Sequence, residues 1–408
     1  MDKNNHVILL HYTSSCIRKI FQIIKLIWIN FLYFIFRLFP LQSKLIIFSS
    51  ERDYGDNSWA LYQYIHKNYP NYNFVWTTLL PKQYNNDIRT KFVYHPYKFT
   101  IRSAWFIARA KYIFYTHGLG ENLKIRKKQL VMNLWHGIAI KGTKGGIETS
   151  IEKRPLFTHL IYLGEMNKKA QANFLRCDEK YLIPLGYPRN DLMLDNQGKG
   201  YENPFVSEGF KGKVVIWMPT FRKSINKVLS EDNCESNTGL PLFNSLDELE
   251  ELNHYLASIN VCVLTKIHHL QAINPVFTHQ FSHLLFITDN DLVEKDIQLY
   301  QIIGKTDALL TDYSSISVDY LLLNRPIGFI LDDLREYEKG RGRFQFENVK
   351  EVLAGKHIYN IKELYHFFYE ISTNIDSTQS LRENLSKSMI TYQDNHSCER
   401  ICNFCGIK

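Results

Sequence analysis

Short apolar runs alternate with helical patterns along most of this chain. Apolar, β-rich runs predict strands at 45–48, 74–77, 112–115, 130–134, 160–163, 181–184, 214–218, 261–265, 284–288, 308–310 and 327–331. Between them, apolar residues recur at helical spacing, for example in 59–67, 99–110 and 170–175. Strands that alternate with helices favour parallel sheets covered on both faces. The pattern therefore predicts an α/β protein with two doubly wound, Rossmann-like domains facing a cleft.

The polar stretch 198–212 is the best candidate for a linker between these domains, and 224–239 has the composition of a surface loop. A chain of 408 residues is long enough for two domains with sizeable cores. The expected division is an N-terminal segment at 1–44, a first domain at 45–197 and a second domain at 205–408.

The N-terminal segment contains a long apolar and aromatic stretch, residues 21–39, with the sequence FQIIKLIWINFLYFIFRLF. Its length approaches that of a bilayer span, but Lys25 and Arg37 interrupt it, and Arg18 and Lys19 precede it. Aromatic residues mixed with cations are typical of a helix that lies in the membrane interface. We therefore expect peripheral attachment to a membrane. The alternative is a core helix packed on the first domain.

The amino-acid composition indicates which kinds of molecule this protein binds. Apolar residues at 45% and charged residues at 22% are ordinary for a globular protein, while the net charge of +8 suggests an anionic partner. No nucleic-acid-binding signature is present, so a phosphorylated substrate or an anionic lipid surface is expected instead. The seven cysteines are odd in number and unevenly spaced, which suits a reducing compartment. Those at 398, 402 and 405 lack the paired C-x-x-C spacing of a structural zinc site.

The most informative stretch is Thr311-Asp312-Tyr313-Ser314-Ser315, which follows a predicted strand and precedes a helical pattern. Hydroxyls and backbone N–H groups at the start of a helix form a suitable phosphate site. An ordinary helix N-cap is the alternative, because Ser and Asp favour that position in any case.

Other predicted strands also end in polar or charged residues. His136 is a candidate general base, and Gly137 beside it allows a ligand to approach the backbone closely. Arg189 lies in a predicted turn and is a candidate for substrate binding; the alternative is a solvent-exposed ion pair. Arg222 follows another predicted strand and is suited to bidentate binding of a phosphate. Lys266, His268 and His269 follow the strand at 261–265. With neither a dinucleotide fingerprint nor a Walker loop, these groups predict a nucleotide diphosphate site with no metal or other cofactor.

Five motifs, in this order and spacing, resemble one family. They are WHGIAIKG, GYPRND, PTFRKS, KIHH and the long segment that begins LLTDYSS. The set resembles the CDP-glycerol:poly(glycerophosphate) glycerophosphotransferases, the teichoic acid primases and polymerases, and covers about residues 20–385. The resemblance implies a GT-B fold attached to the cytoplasmic face of the cell membrane. It also implies transfer of glycerol phosphate or ribitol phosphate from a CDP-activated donor to a lipid-linked or growing teichoic-acid or capsule-type polymer.

By the same resemblance, the first domain binds the acceptor and the second binds the CDP donor. The implied catalytic residues are His136, His268 and Asp312, with His269 competing with His268 for the inward position. The resemblance also implies that Ser314 and Ser315 bind substrate. Together with the residues chosen above by type and position, the expected substrate-binding residues are Gly137, Arg189, Arg222, Lys266, Ser314 and Ser315. Two alternatives stay open: a GT-B glycosyltransferase that uses a nucleotide sugar, and a non-catalytic scaffold of a polymer export complex. Release of CMP distinguishes the favoured activity from the first of these.

Overall fold

The computed structural model describes residues 24, 27–50, 54–95, 100–119, 124–138, 140, 156–220, 238–267, 275–335, 344–346 and 348–408. Internal contacts divide the chain into two compact units. The first unit comprises Met1–His136, Pro155–Leu160 and Cys402–Lys408, and the second comprises Gly137–Arg154 and Ile161–Ile401. The predicted boundaries at 44, 197 and 205 stay predictions.

The first sheet has seven strands in the order β3-β2-β1-β4-β5-β6-β7. They are β1 (Gln42–Ser49), β2 (Asn73–Thr78), β3 (Thr90–Tyr94), β4 (Ala110–Tyr115), β5 (Leu130–Asn133), β6 (His159–Ile161) and β7 (Leu182–Ile183). The division between the units falls within β6. The central strand β1 pairs in parallel with both β2 and β4. Phe48 on β1 stacks on Trp76 and Phe114 with ring centroids 5.5 Å apart, so aromatic packing fills the middle of the sheet.

The second sheet has six strands in the order β10-β9-β8-β11-β12-β13. They are β8 (Lys213–Met218), β9 (Val261–Lys266), β10 (Leu284–Ile287), β11 (Ala308–Thr311), β12 (Ile327–Ile330) and β13 (Lys356–Ile358). All of their described pairings are parallel. β9 and β11 are buried along their whole length, as parallel strands covered on both faces must be.

Helices connect the strands. They are α1 (Asp56–Asn68), α2 (Ile101–Arg109), α3 (Glu165–Phe174), α4 (Pro188–Asp195), α5 (Leu246–Ser258), α6 (Asp289–Glu294), α7 (Leu299–Ile303), α8 (Ile316–Tyr320), α9 (Ile361–Ser372), α10 (Gln379–Met389) and α11 (Ser397–Cys405). Ser245 and Glu248 form a reciprocal capping box at the start of α5, which explains why the helix begins there. Leu249, Leu252 and Leu256, at helical spacing on α5, enter the core of the second unit.

Each predicted strand is present to within a few residues, whereas two observed strands were not predicted. These are β3 and β13, which are both edge strands. One side of an edge strand has no partner, which weakens its apolar signal. The other two edge strands, β7 and β10, were nevertheless predicted. The loop predicted at 224–239 lies almost wholly outside the described residues.

Residues 27–36 of the N-terminal segment are helical. One side of this helix packs on the first unit: Ile29 and Tyr33 are buried, and the Tyr33 hydroxyl donates to the carbonyl of Lys124 at 3.0 Å. The other side exposes large apolar side chains, namely Ile27, Trp28, Phe31 and Phe34, and Leu38 just after the helix is exposed as well. Among the described residues, no helix is both long enough and apolar enough to cross a bilayer.

Candidate active site

His136 lies just beyond β5, where its ring stacks on that of His117. The ring centroids are 3.9 Å apart and the planes differ by 3°. Both rings turn their Nδ1 atoms toward one residue. His136 Nδ1 is 3.5 Å from the Thr116 carbonyl oxygen, and His117 Nδ1 is 2.8 Å from the Thr116 hydroxyl. A carbonyl oxygen only accepts, so this contact is compatible with the tautomer that has its hydrogen on His136 Nδ1. This is the tautomer that a base acting through Nε2 needs.

The backbone before His136 is held in a strained conformation. Trp135 has φ of +49°, a left-handed value that is uncommon for a bulky residue. The buried Asn57 side chain donates to the carbonyls of Leu134 and Trp135 at 3.1 and 2.8 Å, and the Asn133 side chain accepts from the Trp135 N–H at 2.8 Å. Strain that the surroundings enforce in this way is concentrated at functional sites, where it fixes the direction of a side chain.

Gly137 packs against two of the other predicted site residues. A Cβ built on Gly137 would lie 2.4 Å from Ser315 Oγ and 3.3 Å from an Arg189 guanidinium nitrogen, and its φ is +137°. A side chain at this position would therefore meet both a collision and a conformation that L-residues rarely adopt. The Ser315 hydroxyl makes no capping hydrogen bond to α8, whose residues are all described. Ser315 thus occupies the N-cap position of α8, as the alternative expected, but its side chain does not cap the helix. The neighbouring Ser314 is half-buried.

Arg189 is tied into a buried network. Its guanidinium lies 2.6 Å from an Asp319 carboxylate oxygen, with the two side chains 7% and 1% exposed. The Asn190 amide donates to the same carboxylate at 3.2 Å, and the Tyr300 hydroxyl donates to it at 2.5 Å. The guanidinium also lies over the Tyr300 ring, 4.6 Å from its centroid. The solvated ion pair considered for this motif is therefore wrong, because the pair is buried.

The next acidic residue of the same motif, Asp191, holds another segment of the second unit in place. Its carboxylate accepts hydrogen bonds from the N–H groups of Ser397 and Cys398 at 3.0 and 2.7 Å. Burial raises the pKa of Asp191, although these two N–H groups favour the charged form. The motif thus fixes the start of α11.

Asp312 is buried at the end of β11 and joins it to the end of the neighbouring strand β8. Its carboxylate accepts hydrogen bonds from the backbone N–H of Thr220, at 2.6 Å, and from the Thr220 hydroxyl. Through these contacts, the Asp312 side chain holds the ends of β8 and β11 together. A direct role of Asp312 in catalysis stays a prediction.

Lys266, at the end of β9, is buried and paired. Its ammonium lies 2.9 Å from an Asp289 carboxylate oxygen and donates to the carbonyl of Ile267 at 2.9 Å. The remaining predicted site residues, Arg222, His268 and the competing His269, lie outside the described residues, so their positions stay predictions.

A comparison with models of known families decides the family. The model described as CDP-Glycerol:Poly(glycerophosphate) glycerophosphotransferase matches residues 31–405. The chain belongs to this family. The resemblance inferred from the motifs is therefore confirmed.

Curated relatives of the glycerophosphotransferase family agree with this placement. A teichoic acid poly(ribitol-phosphate) polymerase of Bacillus spizizenii is 27% identical over 396 residues, which cover 86% of this chain and 57% of the relative. A teichoic acid poly(glycerol phosphate) polymerase of Staphylococcus epidermidis is 25% identical over 369 residues, covering 82% of this chain and 46% of the relative. The chain thus spans about half the length of these relatives.

A solved structure supports the fold. The wall teichoic acid polymerase TagF superimposes with a TM-score of 0.73 at 19% identity, and the match covers 97% of each chain. At this identity the match concerns the fold alone. Together with the two parallel sheets, it confirms the predicted GT-B-type α/β fold.

The sequence analysis did not predict His117 and Asp319 as site residues, although the sequence contains an indication of each. His117 follows β4 in the sequence Thr116-His117-Gly118, and so it ends a strand just as His136 does. Asp319 is a single carboxylate among the buried residues of α8, and it lies four residues after Ser315 on the same helical face. A charge within a buried helix requires a partner, and here that partner is Arg189.

The expectation that the chain has no D-x-D carboxylate pair is wrong, because Asp289-Asn290-Asp291 is one. A D-x-D sequence invites a metal-binding interpretation, but the structure gives each carboxylate another contact. Asp289 pairs with Lys266, and Asp291 accepts from the N–H and hydroxyl of Thr288 at the start of α6. Among the described residues, no group of three His, Cys, Asp or Glu side chains is placed to hold a metal ion.

Proposed function

We propose that this protein transfers glycerol phosphate or ribitol phosphate from a CDP-activated donor to a hydroxyl of a lipid-linked or growing teichoic-acid or capsule-type polymer, and releases CMP. Family membership over residues 31–405 supports the reaction class. The matched relatives are polymerases of poly(ribitol phosphate) and poly(glycerol phosphate), so either polyol is compatible with the comparisons.

The observation that carries the chemistry is the orientation of His136. Nδ1 lies 3.5 Å from the Thr116 carbonyl oxygen, and in the tautomer that donates to this oxygen, Nε2 is the nitrogen that removes the proton of the acceptor hydroxyl. The hydroxyl oxygen forms a bond to the β-phosphorus of the donor. The bond between that phosphorus and the oxygen bridging to the α-phosphorus breaks, and CMP leaves with the bridging oxygen.

Negative charge that develops on the leaving CMP must be stabilised by the protein. Ser314 and Ser315 are half-buried residues at the start of α8, Ser315 lies beside Gly137, and we assign both hydroxyls to the donor phosphates. Arg189 and Lys266 are already paired with carboxylates, so they act by positioning neighbouring groups and by their positive potential. Arg222 and His268 complete the proposed set by their motifs.

The test is an assay of the purified protein with CDP-glycerol, CDP-ribitol and nucleotide sugars as donors, each combined with polyol-phosphate and lipid-linked saccharide acceptors. We expect CMP to be released in equal amount to the polyol phosphate transferred, with and without a metal chelator. Release of a nucleoside diphosphate from a nucleotide sugar would indicate the glycosyltransferase instead. No turnover with any of these donors would favour the scaffold. Loss of turnover in the chelator would overturn the proposed independence of metal.

We further propose that the protein is a peripheral protein of the cytoplasmic membrane face. The exposed apolar side of the helix at 27–36 supports this, because Trp28, Phe31 and Phe34 are each more than half exposed. Arg126, which donates to the carbonyl of Phe39 at 2.9 Å, puts a cation next to the end of this helix.

Flotation with vesicles tests the attachment. We expect binding to anionic vesicles that high salt weakens, and a loss of binding in a variant with Trp28, Phe31 and Phe34 all changed to Ser. The buried Ile29 is left unchanged so that the helix still packs on the first unit. Binding that persists in this variant would place the membrane contact elsewhere.

A further inference from the structure

Tyr313 follows Asp312 beyond the end of β11 and makes a buried hydrogen bond on the other side of that strand. The Tyr313 hydroxyl donates to an Asp333 carboxylate oxygen at 3.0 Å, and the two residues are 1% and 6% exposed. Asp333 lies shortly beyond β12, which pairs with β11 on the side away from β8. Asp312 therefore holds the chain to the end of β8, and Tyr313 holds it to the segment after β12, directly before Ser314.

Tyr313 also contacts a separate segment of the second unit. Its ring packs on that of Phe344, with centroids 5.4 Å apart and planes that differ by 51°. The N–H of the residue after Phe344 donates to the carbonyl of Ile140 at 2.9 Å. Ile140 follows closely on Gly137, whose backbone packs against Ser315. The contacts thus return to the serine segment from which they began, so Tyr313 is held from both ends of this path.

A second tyrosine of the same unit makes similar contacts in another place. The Tyr255 hydroxyl donates to the Tyr365 carbonyl at 3.0 Å, and the two rings stack with centroids 4.5 Å apart. Tyr255 lies on α5 and Tyr365 on α9, so this pair joins two helices. A hydrogen bond and an aromatic contact are therefore common to both tyrosines. What distinguishes Tyr313 is its position directly before the half-buried Ser314 and Ser315.

We propose that Tyr313 is a positioning residue for the donor: its contacts with Asp333 and Phe344 hold Ser314 and Ser315 where their hydroxyls bind the donor phosphates. This inference rests on the proposed function, which assigns both serines to those phosphates. Hydroxyls bind a ligand well only when the packing and hydrogen bonds around them fix their position. Tyr313 is itself buried, so it acts on the donor through the two serines that follow it.

The experiment measures equilibrium binding of CMP to the full-length protein by calorimetry, in the absence of acceptor. Tyr313→Phe keeps the ring that packs on Phe344 and removes the hydroxyl, and we expect it to bind CMP about ten-fold more weakly, the order of effect of one lost hydrogen bond. In a protein that already carries Ser314→Ala and Ser315→Ala, the same change should have no further effect, because Tyr313 acts through these hydroxyls. Asp333→Ala, which removes the acceptor of the hydrogen bond, should repeat this pattern.

Tyr255→Phe is the matched control and should bind CMP as tightly as the unchanged protein. Undiminished binding by Tyr313→Phe would overturn the proposal. So would a loss of the same size with and without the two serines, since a merely structural role predicts that result. Absence of CMP binding by the unchanged protein would overturn it as well. Because no transfer takes place in this experiment, its outcomes are independent of the CMP-release assay, whose failure would count against the proposed function itself.

Discussion

His136 and Arg189 both follow strands, and the motifs around both predicted contact with substrate, but their surroundings differ. His136 is half-buried, and its surroundings include a second imidazole, a hydroxyl and a carbonyl oxygen. Arg189 is buried against Asp319, in a network that Tyr300 and Asn190 complete. Lys266 is similarly paired with Asp289.

The difference shows that a charged side chain at a strand end is constrained by its burial. A buried cation requires a carboxylate, because the cost of removing it from water is otherwise too high. Once paired, it orients its neighbours more readily than it binds a ligand. An imidazole carries no obligatory charge, so it does not require a buried carboxylate in the way a guanidinium or an ammonium does. We therefore expect changes at the imidazoles to affect turnover and changes at the buried pairs to affect stability.

The largest expected effect is that of His136→Ala. Loss of a general base should lower kcat by about 10²-fold or more, while the free energy of unfolding changes little because the residue is half-buried. Turnover by CMP release and urea unfolding measure the two quantities, and His159→Ala is the control. A folded variant that retains most of its turnover would remove His136 from the mechanism.

Asp319→Asn tests the buried ion pair in the same way that His136→Ala tests the imidazole. It leaves the Arg189 guanidinium buried without its carboxylate, and we expect a loss of about 3–5 kcal/mol in the free energy of unfolding. Urea unfolding measures it. The double variant Arg189→Met with Asp319→Leu removes both charges and should recover most of the loss. A loss of less than about 1 kcal/mol for Asp319→Asn would mean that the pair behaves like an exposed one.

The smallest expected effect is that of Ser314→Ala combined with Ser315→Ala. If these hydroxyls bind the donor phosphates, the KM for the CDP donor should rise by about ten-fold, and CMP should inhibit less well. The acceptor KM should stay nearly unchanged, and Ser388→Ala is the control. A raised acceptor KM with an unchanged donor KM would assign the segment to the acceptor instead.

The amino-acid sequence by itself determined the class of fold and the family. Apolar runs such as 261–265 reveal strands because a parallel strand is buried on both faces and must be apolar throughout. The motifs around His136 and Ser315 were visible for a related reason, since strand ends are where this class of fold places its ligands. The edge strands β3 and β13 escaped prediction because an exposed edge does not require that pattern.

Only the tertiary structure decided what each polar residue contacts. Arg189 and Asp319 are 130 positions apart, and no local pattern indicates that they form a buried ion pair. Nor does the sequence show that the ring of His117 stacks on that of His136, because β4 and β5 bring the two together through sheet pairing. The spacing of apolar residues along the chain indicates which face of a helix or strand is buried. Hydrogen bonds and ion pairs depend instead on the distances between elements, and these distances are set only when the sheets assemble.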